Sequence, residues 1–172
     1  FGRQPDRLSE EEIAARRTQY PKIELNQLIE YVICKLDGYL ELAPLVAELE
    51  FVGPLPDYEV DIGGEPHVFQ LYQAKVCKIF KNGGDAPLSE GALIACVKSI
   101  FHDTPEMRVG MRAIVALSAG KGSHEGKYGF GLPFFYVTED GYVLSAREEY
   151  FGDNYTGLSA KEFRKIVDKM VR

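Results

Sequence analysis

Four residues in this 172-residue chain have the types and spacing to do chemistry: Asp57 or Asp61, then Gln73 and Lys75. An Asp followed within about twenty residues by Gln-x-Lys is the skeleton of a metal-dependent nuclease site. A hard divalent cation takes oxygen ligands, and phosphodiester cleavage needs an activated water and relief of developing charge. The same residues lie on two alternating apolar runs around Gly63-Gly64, which also predict an ordinary half-buried hairpin.

The stretch from Asp57 to Lys75, with a helix expected before it and a helix and strand after it, resembles the core of the PD-(D/E)XK nucleases. That resemblance implies Asp57 or Asp61 and Gln73 as ligands to a divalent metal such as Mg, with Lys75 as the group that positions or polarises water. Glu30 on the preceding segment would assist, and the substrate would be a nucleic acid. Pairing around a two-residue Gly-Gly turn argues the other way. It sets Ile62 opposite Glu65, Asp61 opposite Pro66, Val60 opposite His67, Glu59 opposite Val68, Tyr58 opposite Phe69 and Asp57 opposite Gln70. Directly opposed side chains share a face, and faces alternate along each strand. One face then carries Tyr58, Val60, Ile62, Phe69, Leu71, Gln73 and Lys75, while Asp57, Glu59 and Asp61 fall on the other. Only a bulge or a three-residue loop would bring acids and Gln-x-Lys together, since a one-residue slip flips every side chain.

Other chemistry is thinner. Ser118-Ala119-Gly120-Lys121-Gly122-Ser123 lacks the leading glycine, the hydroxyl after the lysine and the following helix of a phosphate-cradling loop, so it is expected to be a surface loop. His67, His102 and His124 show no ligand spacing. Aromatic residues concentrate near the C-terminus. Tyr128, Phe130, Tyr136, Tyr142, Tyr150, Phe151 and Tyr155 are the expected partner-binding surface, since strand alternation sends only half of such residues inward. Few basic residues lie among them, so a protein or peptide partner fits better than single-stranded nucleic acid.

The elements that must position these residues begin with an arm, residues 1–21, holding a short charged helix opened by the capping box Ser9–Glu12. A single domain, residues 22–172, follows. Leu25, Leu28, Ile29, Val32, Ile33 and Leu36 predict an amphipathic helix, and further helices are expected over Leu42–Glu50 and from Ser89 to about His102. Ala113–Leu117 reads as a strand covered on both faces, Asp140-Gly141 as a hairpin turn, and Ser159 as the cap of a last helix carrying Phe163, Ile166, Val167 and Met170. The expected fold is α+β: a mostly antiparallel sheet of about five strands packed against helices in a two-layer sandwich.

A net charge of −6 argues against binding nucleic acid non-specifically. No apolar run is long enough to cross a bilayer, so no membrane partner is expected. Cys34, Cys77 and Cys96, odd in number and set among apolar residues, read as buried reduced thiols in a cytoplasmic or other reducing compartment. The first residue, Phe1, suggests a piece excised from a larger protein. The reading reached is a non-catalytic protein-interaction module without a cofactor. The alternative is a metal-dependent nuclease or an inactive relative of one.

Overall fold

The structure is a computed structural model, and residues 7–23, 35–98, 105–147 and 155–172 are described. Two very long strands dominate it. β1 (Leu45–Ile62) and β2 (Glu65–Asn82) form one antiparallel hairpin turning at Gly63-Gly64. Both turn glycines have positive φ, 63° and 88°, as a two-residue hairpin turn requires. β3 (Leu93–Lys98) pairs with β2, β4 (Arg112–Ala119) pairs with β1, and β5 (Lys127–Val137) pairs with β4. β5 also meets β3 in parallel, Ala95 opposite Lys127 and Val97 opposite Gly129, which closes the sheet on itself. β6 (Val143–Ser145) extends the far side of β5.

The α+β sandwich expected from the sequence is therefore overturned. The molecule is a closed five-stranded mixed β-barrel, in the order β1-β2-β3-β5-β4, with few helices. The error has a specific source. Leu42 to Glu50 is expected to be helical from its apolar residues, yet from Leu45 onward it is a strand covered on both sides. Leu45, Ala47, Leu49 and Phe51 point into the barrel, while Val46 joins a second apolar cluster outside. A strand buried on both faces loses the polar alternation that distinguishes it from a helix. Residues 93–98, within the helix expected from Ser89 to about His102, are also a strand, and residues 89–92 before them form a turn. Residues 99–102 of that expected helix, and nearly all of the one predicted from Leu25 to Leu36, lie outside the described residues.

Two cores result. The barrel interior holds Phe51, Tyr72, Val76, Cys96, Val115, Phe134 and Tyr136. Outside, α2 (Leu36–Leu42) and α3 (Ala160–Met170) cover β1, β4, β5 and β6 with Leu36, Leu40, Phe163 and Val167 against Val46, Ile114, Phe135 and Val143. Ala113–Leu117, apolar on both sides, is buried throughout as the sequence indicated. Helix α1 (Glu10–Arg16) has both halves of the Ser9–Glu12 capping box, and Ser9 Oγ accepts from the Glu12 N–H. That arm docks on the barrel: Arg16 pairs with Asp140 at 2.5 Å, and Leu8 donates its N–H to Gly157. Ser159 caps α3 by accepting from the Glu162 N–H.

Candidate functional site

The hairpin registers as its alternation predicts from Tyr58–Phe69 to Ile62–Glu65, all five pairs. Below that point it bulges. Leu55 faces Leu71, so Pro56 and Asp57 together oppose Gln70, and the expected Asp57–Gln70 pair is replaced by a bulge. Asp61 sits near the tip opposite Pro66, seven residues from Gln73, or about 23 Å along the strand. Asp57, in the bulge, lies about 10 Å along the strand from Gln73 and about 16 Å from Lys75. Asp57, Asp61 and Lys75 are all exposed. Among the described residues no group of three or more His, Cys, Asp or Glu side chains could hold a metal. The fold thus spreads these four residues along a strand instead of gathering them.

Of the aromatic residues expected to form a partner surface, Tyr136 and Tyr142 are buried. Tyr136 is wholly buried in the barrel, its hydroxyl donating to the Pro21 carbonyl and accepting from the Glu106 N–H. Burial pushes its phenol up to about 12. Tyr142 is buried as well, with the Arg16 guanidinium over its ring. Tyr128 and Phe130 pack partly buried on the barrel core, and Tyr155 on the outer core against Phe163. Tyr150 and Phe151 lie outside the described residues. Alternation does send half of a strand's residues to each face, but here helices and the N-terminal arm cover the outer face too.

What the structure does assemble is a junction between the long hairpin and the β4–β5 loop. The Tyr58 and Phe69 rings stack across the strands at 5.3 Å. His124 stands edge-on to both, and its Nδ1 hydrogen-bonds the Tyr58 hydroxyl at 2.6 Å. The Lys127 ammonium sits 4.4 Å above the Tyr58 ring, a cation–π contact. Burial in this cluster raises the Tyr58 phenol above its ordinary value. The loop is tightly made. Gly120 donates to the Lys127 carbonyl, and a Cβ at position 120 would come 2.2 Å from the His124 carbonyl oxygen, so only glycine fits there. The sequence flagged the glycines and His124 as a surface loop. Its contact with Tyr58, sixty-six residues earlier, had no local signal.

Register defines the surface beside this junction. Tyr58, Leu55 and Gly53 on β1, Phe69, Leu71, Gln73 and Lys75 on β2, and Val97, Ala95 and Leu93 on β3 are directly paired in rows. Directly paired residues share a face. It is the face opposite Phe51, Tyr72, Ala74, Val76 and Cys96, and so the outside of the barrel. Phe69 and Leu71 are buried there, whereas Leu93 is 58% exposed and Val97, Ala95, Leu55 and Gln73 are half-buried. Of the residues expected to be core on this face, Val60, Phe69 and Leu71 are buried and Tyr58 is half-buried, but Ile62 at the tip is exposed.

Beyond the barrel, residues 56–69 form a two-stranded ribbon. Its edges carry Pro56 and Pro66, which blunt pairing with a further strand. The other ribbon face presents Glu59, Asp61 and the exposed Val68. Chemically this surface offers aromatic and aliphatic area with isolated amide, amine and imidazole groups.

Of the three cysteines, Cys96 is buried and Cys77 half-buried, both unpaired, and Cys34 lies outside the described residues. Among the described residues no helix is long and apolar enough to cross a membrane. No protein-family model matches this chain and no curated protein matches it, so the outer face of β1–β3 and its latched loop rest on their geometry alone.

Proposed function

We propose that this chain is a non-catalytic binding module that holds a protein or peptide partner on the outer face of β1, β2 and β3, beside the β4–β5 loop. The observation that carries the reading is the Tyr58–Phe69–His124 junction, which fixes that loop against the hairpin beside the half-buried Leu55 and Val97, with the exposed Leu93 further along the same face. Pre-formed loops with exposed apolar neighbours favour binding because little ordering remains to be done when the partner arrives. Five-stranded barrels of the OB type bind oligonucleotides and oligosaccharides through the face of strands 2 and 3 and the β1–β2 and β4–β5 loops. That likeness of architecture supports a binding face here without naming its ligand.

Charge favours a protein over a nucleic acid. The face carries Lys75 and Lys127, with Lys127 already engaged on the Tyr58 ring, in a chain of net charge −6. The proline-studded edges disfavour an added strand, so the partner is expected to lie across the face. The unpaired cysteines fit a reducing, cytoplasmic-type compartment. Peptides selected by display against the folded chain should bind at least about tenfold more weakly to Leu93→Asp. The control Val68→Asp, on the opposite ribbon face, should leave binding unchanged. Binding that ignores Leu93→Asp, or that single-stranded oligonucleotides displace with a steep salt dependence, would refute a protein-binding face.

A further inference from the structure

At the barrel end away from the latched loop, a cavity of about 590 Å³ opens between the turn entering β4, the β5–β6 turn and the first turn of α3. Its lining is the reverse of the chain's overall charge. The sequence has 26 acidic and 20 basic residues, yet Arg108, Arg112, Lys161 and Arg164 line this cavity against one carboxylate, Glu139. We infer that it binds a small molecule carrying two or more phosphate groups. This is a second site, chemically unlike the apolar face of β1–β3 and independent of it.

Several features support that ligand class. Arg164 is held in place from behind, its Nε and Nη2 donating to Glu48 at 2.7 and 3.1 Å, which leaves Nη1 without a role in that pair. Glu48 itself is buried beneath the cavity wall. Arg112 lies 3.8 Å from the same carboxylate and 4.0 Å from that of Glu50, and its buried Nε–H makes no hydrogen bond to either. Arg108 and Lys161 are exposed, and among the described residues no carboxylate lies in ion-pair range of either. Lys161 and Arg164 stand three residues apart on α3 and so share one side of that helix. α3 has eleven residues, and its N-terminal turn, with the positive end of the helix dipole, forms part of the wall. Fixed guanidinium forks suit phosphate oxygens. The volume falls within the range that accommodates a small ligand of about nucleotide size.

Titration calorimetry of the full chain with inorganic pyrophosphate, at low salt, tests this. Saturable binding is expected, weakened at least about tenfold in Arg108→Gln/Lys161→Gln and weakened by added salt. Glu139→Gln, which removes the one lining carboxylate, should tighten it. Lys169→Gln, exposed at the other end of α3, should leave it unchanged. Circular dichroism and melting of each variant establish that the fold is kept. Three results would each overturn the inference: no saturable binding up to about 1 mM pyrophosphate, equal binding by the double variant, or equal loss in Lys169→Gln.

Discussion

Glu48 is a buried charge paired to α3, and replacing its partner has a calculable outcome. The carboxylate is 3% exposed on the outer side of β1, held by both Nε and Nη2 of Arg164 on α3. Arg164→Met strips that fork away and leaves the buried carboxylate without it. Removing one partner of a buried pair costs about 3–5 kcal/mol, because the remaining charge is left without solvent. Two features reduce this: Arg164 is 31% exposed, and Arg112 remains 3.8 Å from the carboxylate. The expected loss is therefore about 2–3 kcal/mol. With urea slopes of about 1–3 kcal/mol per molar, the unfolding midpoint should fall by about 1–2 M with the slope unchanged. The double variant Glu48→Leu/Arg164→Met should recover to within about 1 kcal/mol of the parent, since an apolar pair can replace a buried ionic one. A loss below about 0.5 kcal/mol in Arg164→Met, or a double variant as unstable as the sum of its single changes, would refute a pair that couples α3 to the barrel.

Two further outcomes follow from buried acids in the barrel. Tyr136 ionises near 10 when unfolded and is pushed up to about 12 by burial, so its contribution is intact below pH 10 and is lost as pH rises toward 12. Alkaline denaturation should show this as up to about 2–3 kcal/mol of lost stability over that window, and Tyr136→Phe should flatten the slope; an unchanged slope would mean the phenol is solvated. Burial likewise pushes the Cys96 thiol up to about 12, and the thiolate is the reactive form. Alkylation followed by peptide mass spectrometry should modify Cys77 in the native protein and Cys96 only after unfolding, and comparable rates at both would contradict the buried placement.

By itself the sequence determined several caps and turns in which local chemistry decides the outcome. Ser9 and Ser159 cap their helices, Gly63-Gly64 turns the hairpin, and Asp140-Gly141 joins β5 to β6, because these residues satisfy backbone geometry within a few positions. Alternation also fixed the pairing from Tyr58–Phe69 to the tip. Tertiary structure decided where periodicity carries no information. Leu45–Phe51 and Leu93–Lys98 are strands because a barrel interior on one side, and in the first case helices on the other, bury them, and no residue within either run says so. Barrel closure rests on the parallel contact of β3 with β5, between segments some thirty residues apart. That closure turned Tyr136 and Tyr142 from an expected surface into core, and it brought His124 onto Tyr58 and four cations around one cavity. Such meetings depend on the path of the whole chain, which is why the acidic residues and Gln-x-Lys, near neighbours in sequence, are spread along a strand while residues far apart in sequence make the sites.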